Sequence, residues 1–417
     1  MKETKENAKI IHLIFLLLLA IMFGCGGGSE NKDSDAEEIT DLIPDDGFQG
    51  IDNEIPSEES MEFDWLDGQC SGEWITMMLT FTSMIYLVDR STLMLDPIDN
   101  HEPDPSEMGS CQTLNYAPAT GITYTTWWDS VSSTLKDFAS SNTQYKIAQG
   151  LVLYPGPGRI GEPTGVDAIR MCDGPVTRPV TLVAPEIESG SSISSALEDP
   201  DSVPVCEGGF APLKKGLEVA GNSLDRVQPG PHTILVIARS GPNCNLSMPI
   251  CEEQDCTVDI NYCNGVRGTV GCQDALSVID TITDLHQNKG IDVYVVGLPG
   301  SERFSSYFDS MAEAGGTALS QSPKYRAVTD PASLGAVLSE IAEKEIGCYF
   351  ALQSTPSDSV NINVLVDGEP LKKDDPNGYS YDSVNGIVEL LGQSCADFIE
   401  GKIQEVKFLA GCPPYNG

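Results

Sequence analysis

Thirteen cysteines are the residues in this chain best equipped to do chemistry. Five of them, Cys244, Cys251, Cys256, Cys263 and Cys272, crowd one loop-like stretch, which is compatible with a disulfide cluster or a zinc site. A structural zinc site needs four thiolate or imidazole ligands, usually presented as C-x₂-C pairs, and these spacings contain no such pair. Disulfides are therefore the favoured reading. With Cys25 set aside, the remainder is an even set: Cys70, Cys111, Cys172, Cys206, the five of the cluster, Cys348, Cys395 and Cys412. That set fits pairing in an oxidising compartment. His101, His232 and His286 are scattered and solitary, and read as surface or packing residues. No G-x-S-x-G, Walker A loop, H-E-x-x-H or Cys/His pair occurs in a supporting context. The run SGSSISS (189–195) has no strand predicted before it, and Asp367-Gly368 reads as a turn because an EF-hand's further ligands are missing. Catalysis has no visible apparatus, so an enzyme or redox protein using the cysteine-rich loop is the least favoured function.

Cys25 is set apart by what surrounds it. Lys2, Lys5 and Lys9 precede an apolar run from Leu13 to Phe23 that ends in Gly24-Cys25. A basic segment, a short apolar segment and a small residue before the cut describe a secretory signal over 1–24. The run is too short to span a bilayer comfortably. MFGC resembles a bacterial lipobox, with bulkier residues than usual before the glycine, and makes Cys25 the candidate lipidation site. Acyl chains there would hold the protein at a membrane, each buried CH₂ contributing about 0.8 kcal/mol. Gly26 in place of an aspartate after the cysteine points to an outer membrane or cell surface.

The net charge is −38, unevenly spread. From Ser29 to Cys70 there are fifteen acids against one lysine, too little apolar surface to offset ordering, so 25–70 reads as a disordered acidic tether. No Lys/Arg stripe appears, which excludes nucleic acid and anionic headgroups as natural partners.

Past the tether, apolar strands alternate with amphipathic helices, which predicts a mostly parallel sheet with helices on both faces over 71–347. The strands are MIYLVD (84–89), YKIAQGLVLY (145–154), TILVIA (233–238) and VYVVG (293–297). Helical spacing marks Trp128 to Phe138, Leu213 to Ala220, Ala275 to Leu285, Phe304 to Met311 and Leu334 to Ile341. From Cys348 the period changes to two, with Asp367-Gly368 and Asn385-Gly386 at turn positions. Residues 348–417 therefore read as a small antiparallel β domain, stapled by some of Cys348, Cys395 and Cys412.

These elements carry a resemblance. LVDRSTLM (87–94) is similar to the first strand and DxSxS loop of von Willebrand factor A domains. Gly208-Gly209, ARSGPNCN (238–245), VYVVGLPG (293–300), MAEAGGTA (311–318) and VTDPASL (328–334) follow in that family's order. With GCPP (411–414) near the end, the chain resembles in particular the cysteine-rich A domains of bacterial surface lipoproteins. The resemblance implies a Rossmann-like doubly wound α/β fold followed by the small β domain. It also implies an adhesion site in which a hard Mg²⁺ ion, with about six oxygen ligands, sits at the carboxyl edge of the sheet.

This chain departs from that ligand set. Asp89 and Ser91 occupy the first two loop positions, but Leu93 stands at the second serine, no hydroxyl follows Gly208-Gly209 before Ser223, and Arg239 stands at an aspartate. Asp89 and Ser91 are then vestigial metal positions, and taken alone Asp89 is also a strand-end carboxylate that caps a loop. The departures predict an ion pair between Arg239 and Asp89 in place of the metal. The expected function is an exported, membrane-anchored, non-catalytic binding or scaffold protein without a cofactor, its partner an unidentified protein or glycan. The alternative is an adhesin with a rearranged Mg or Ca site.

Overall fold

The computed structural model describes residues 72–113, 118–141, 147–156, 179–206, 211–227, 229–244, 274–345, 347–353, 356 and 361–415. Cys25, the tether, Gly208-Gly209, and Cys70, Cys172, Cys251, Cys256, Cys263 and Cys272 lie outside them.

The larger module is built on β3 (Ser83–Asp89), whose sequence SMIYLVD is buried at every position. An unalternating apolar strand of this kind belongs in the middle of a parallel sheet covered on both faces. Met84, Tyr86 and Val88 enter one core, and Ile85 and Leu87 the other. Beside β3 run β4 (Ala148–Tyr154) and β6 (His232–Ala238), both parallel to it in full register. β7 (Ile291–Gly297) and the two-residue β8 (Arg326–Ala327) continue the sheet on one side. β5 (Val180–Glu186) closes the other side, antiparallel to β4, giving the order β5-β4-β3-β6-β7-β8.

Helices cover both faces. One core collects side chains of α1 (Trp127–Ser141), α2 (Gly190–Glu198) and α6 (Pro331–Glu345). The opposite core collects α3 (Leu213–Leu224), α4 (Ala275–Lys289) and α5 (Ser305–Ala314). The apolar spacings of the sequence are thus the core-facing stripes of these helices, as amphipathic packing requires. Gly290, at φ 65°, ends α4 in the left-handed conformation that glycine adopts without strain, and β7 begins at the next residue. Among the described residues no helix is long and apolar enough to cross a membrane.

The smaller module is two four-stranded antiparallel sheets. One has the order β1 (Glu73–Ile75), β14 (Val406–Ala410), β10 (Ile362–Val366), β11 (Glu369–Pro370). The other runs β12 (Tyr379–Asp382), β13 (Ile387–Leu390), β9 (Cys348–Leu352), β2 (Met77–Thr80). Phe350, Val364, Tyr379, Val388 and Phe408 share its core with Phe398 of α7 (Gly392–Ile399). Asp367 and Gly368 both have positive φ (50° and 90°), as expected of a tight hairpin turn. Cys348–Cys395 and Cys111–Cys206 are disulfides, with Cα separations of 5.5 and 4.9 Å, and Cys244 and Cys412 are also disulfide-bonded.

Two features differ from the sequence expectation. Residues 73–80, expected to begin the α/β domain, pair instead with the C-terminal strands: Glu73 lies opposite Ala410 and Met77 opposite Leu352. The α/β module is therefore inserted between β2 and β9 of the small one. A strand, β5, also precedes SGSSISS, and residues 190–195 of that run open α2. There Ser189 donates to the Gln149 carbonyl oxygen at 2.7 Å, a structural bond.

Candidate functional site

At the carboxyl edge of the sheet, β3 and β6 end side by side and their loops converge on Asp89. Asp89 and Ser91 are fully buried. Oδ1 of Asp89 accepts the Ser91 backbone N–H (2.7 Å), which closes its own loop. Oδ2 accepts the backbone N–H groups of Arg239 (3.2 Å) and Ser240 (3.0 Å) and the Ser240 hydroxyl (2.6 Å). Four neutral donors thus serve one carboxylate. Backbone N–H groups are well suited to this, because they are fixed before the charge arrives and hold it without a counterion. Ser91 Oγ and Ser240 Oγ are 3.4 Å apart.

The ion pair expected between Arg239 and Asp89 does not form between their side chains. Arg239 meets Asp89 through its main chain, while its guanidinium reaches past to other loops. Nε donates to Pro299 O (2.7 Å), and Nη1 donates to Leu93 O (2.7 Å) and pairs with the Asp96 carboxylate. The physical reason is length. The peptide of residue 239 already lies against Asp89, and a three-methylene stem carries the guanidinium beyond it. Gly300, at φ 99°, makes room, since a Cβ there would lie 2.9 Å from Nη2. Arg239 so ties together the loops after β3, β6 and β7, with 6 % of its surface exposed. Leu93, the residue in place of a serine ligand, contributes its carbonyl oxygen to this guanidinium rather than a hydroxyl to an ion.

Arg90, which the sequence did not single out, is buried completely beside Asp89. Its guanidinium donates to main-chain oxygens that include Pro155 (3.2 Å), Gly156 (2.5 Å), Asp201 (2.8 Å) and Val203 (2.7 Å). Burial lowers its pKa to about 10, against the opposing pull of Asp201. The available signal was a charged pair, Asp89-Arg90, inside the otherwise uncharged run SMIYLVDRSTLML. A cation there needs acceptors, and loop carbonyls are the ones a sheet edge offers.

Tyr154 ends β4 opposite Asp89, and its buried hydroxyl has no hydrogen-bond partner among the described residues. Burial, and then the Asp89 charge, push this phenol well above its ordinary pKa, so it stays protonated. Two histidines read as solitary have partners. His101 Nδ1 lies 2.5 Å from Asp99, which raises its pKa, with Glu107 at 3.6 Å and Tyr124 edge-on at 5.4 Å. His286 Nδ1 lies 2.9 Å from Asp292 at the amino edge. Neither joins the Asp89 cluster.

The donor set decides how a divalent cation fits. Oδ2 of Asp89 already accepts three hydrogen bonds, and the Ser240 hydroxyl directs its proton to that oxygen. Arg239 supplies a fixed positive charge to the same loops. Among the described residues, no group of three or more Asp, Glu, His or Cys is placed to hold a metal ion. A hard dication needs about six free oxygens, and these residues do not fit it.

No protein-family model matches the chain, and no curated protein matches it. Solved structures do. The PilB minor pilin from Streptococcus sanguinis matches at 13 % identity and a TM-score of 0.40, covering 64 % of this chain and 61 % of the pilin. The vWF domain of the type V pili tip protein Mfa5 from Porphyromonas gingivalis matches at 10 % identity and 0.36, covering 64 % and 95 %. A conserved hypothetical protein, BatB, from Bacteroides thetaiotaomicron matches at 12 % and 0.35, covering 64 % and 98 %. The chain spans about three fifths of the pilin it matches. The α/β module is a mostly parallel six-stranded sheet with helices on both faces. Its central β3 is flanked by β4 and β6, and its DxS loop sits where the sheet order reverses.

Proposed function

We propose that this chain is an exported, membrane-anchored, non-catalytic binding or scaffold protein whose partner docks on the carboxyl edge of the α/β module without a divalent cation. The observation that carries this reading is the saturation of Asp89 by neutral donors while Arg239 holds the surrounding loops. The metal's structural work, drawing the ends of β3, β6 and β7 together, is done by hydrogen bonds. The partner is a protein or a glycan, and Arg239 Nη2 makes no hydrogen bond to a described residue. Open α/β sheets bind ligands at this edge, where the strand order reverses.

Domain order supports the display role. The tether leads into β1 of the small module, and both crossings into the α/β module lie at the amino edge of its sheet, where Thr80 Oγ1 donates to Pro229 O (2.6 Å). The Asp89 edge is at the other end of seven-residue strands, about 20 Å away. An acylated Cys25 would then hold the small module as a pedestal and present the binding edge outward.

Two measurements test this. A pull-down with the soluble ectodomain, in chelator and in excess Mg²⁺, should capture the same partner equally, and Arg239→Ala should weaken capture. The second reading, an adhesin with a rearranged site, is favoured by the Ser91 and Ser240 hydroxyls beside Asp89. Saturable Mg²⁺ or Mn²⁺ binding by calorimetry, abolished by Asp89→Ala, would establish that reading instead. Detergent partitioning of wild type and Cys25→Ser tests the anchor separately, and equal partitioning would remove it.

A further inference from the structure

The amino edge of the same sheet buries a carboxylate that the binding role does not use. Glu345 is the last residue of α6 and is 9 % exposed. Its Oε2 accepts the Thr233 hydroxyl of β6 (2.6 Å), and its Oε1 accepts the Tyr294 hydroxyl of β7 (2.7 Å). Its main-chain oxygen accepts the Thr82 hydroxyl (2.5 Å), from the segment that carries the chain out of β2 into β3. Three residues later the chain enters β9 at Cys348. The carboxyl therefore ties the end of α6, where the second crossing begins, to two strands of the sheet, and the main-chain oxygen of the same residue holds the first crossing.

The charges around it offer little compensation. Asp292 of β7 repels it, although Asp292 is itself paired with His286. Arg326 of β8 attracts it, but that guanidinium stacks on the Tyr294 ring at 4.8 Å, donates to Thr317 O and lies 4.0 Å from Glu340. On the small module, Tyr349 of β9 faces Glu345, Asp292 and Glu389 of β13. The anion is thus desolvated with two hydroxyls donating to it and no described cation in contact, whereas the neutral acid escapes that desolvation by turning one hydroxyl from donor to acceptor.

We propose that Glu345 makes the junction a protonation-sensitive joint, which is held closed when the carboxyl is protonated and loosened when it ionises. Loosening frees the end of α6 from β6 and β7, and with it the crossing into β9. Burial raises the pKa of Glu345, with Asp292 adding and Thr233, Tyr294 and Arg326 opposing. The closed joint therefore binds the proton more tightly than the open one. Closure is fully present at low pH and is lost as pH rises through the closed-state value.

Hydrogen exchange of the full chain tests this in residues 80–83, 231–234 and 347–350, from about pH 4 to about pH 8 after correction for intrinsic rates. Wild-type protection should fall with pH, by up to about tenfold per unit through the transition. Glu345→Gln should stay protected throughout. His286→Gln should keep the wild-type transition, and Asp292→Asn should move it to lower pH by removing a like charge. A pH-independent wild type, or a slope that survives in Glu345→Gln, overturns the proposal. Should Glu345→Gln fail to fold, an unmoved midpoint in Asp292→Asn overturns it equally. None of these outcomes depends on a partner or an anchor, so they stand apart from the binding role.

Discussion

Asp89 and Glu345 are buried at opposite edges of one sheet, and among the described residues neither has a cation in contact with its carboxylate. Asp89 is held by three backbone N–H groups and one hydroxyl, all supplied by loops that end strands. Glu345 is held by two side-chain hydroxyls on strands. Peptide donors cannot turn away or exchange roles, so they hold an anion in one geometry. Hydroxyl donors rotate and can accept as well as give, so they serve an anion or an acid. The difference separates a permanent fastening at the carboxyl edge from a titratable one at the amino edge.

The comparison breaks most visibly at Asp89. Asp89→Ala strands three buried N–H donors, each costing about 1–3 kcal/mol when unsatisfied. The total loss should exceed about 3 kcal/mol, read as a lower urea midpoint. If the loss is under about 1 kcal/mol, water is replacing the carboxylate and the fastening is not built on it.

Arg239→Ala should cost less, about 1.5–3 kcal/mol, from the bonds to Leu93 and Pro299 and the charged contact with Asp96. Its mark should be local, with faster hydrogen exchange at 92–96 and 298–301 and an unchanged amino edge. Loosening of both edges together would mean that the sheet couples them.

At the amino edge, the contrast is a slope. The raised pKa of Glu345 makes the wild type lose stability, relative to Glu345→Gln, as pH rises through the folded-state value. Unfolding midpoints of the two proteins should converge in acid and separate toward neutrality. Parallel curves would show that the two edges do not differ in this way.

The smallest effect belongs to Asp96. Its carboxylate is 48 % exposed, so pairing with Arg239 is worth about 0–1 kcal/mol after screening by solvent. Asp96→Ala should barely move the midpoint, and added salt should weaken wild type no more than the variant.

The strands and helices around Asp89 were legible because local periodicity specifies them, and so was the position of Asp89 and Ser91 on the edge of β3. β5 was hidden because VTLVAPE contains Pro185, which marks an edge strand rather than a central one. β1 and β2 were hidden because three- and four-residue strands have little pattern of their own, and their partners lie in the last seventy residues. At the site, sequence placed Arg239 correctly but not its guanidinium, because a motif position identifies a backbone and not where a long side chain ends. Arg90 pairs with loop carbonyls, which are the same in every residue type and leave no trace in sequence.

The insertion of the α/β module between β2 and β9 also has a consequence for synthesis. Met77 must wait for Leu352, 275 positions later, before its sheet can form. A chain emerging N-terminus first thus releases β1 and β2 as bare edges while the whole insert folds behind them. Closing a loop of that length costs little more entropy than closing a shorter one when its ends are free. A folded insert changes the problem, because its two ends already lie together at Thr82 and Glu345. The module that arrives first therefore acts as the template that brings the small module's distant halves into register.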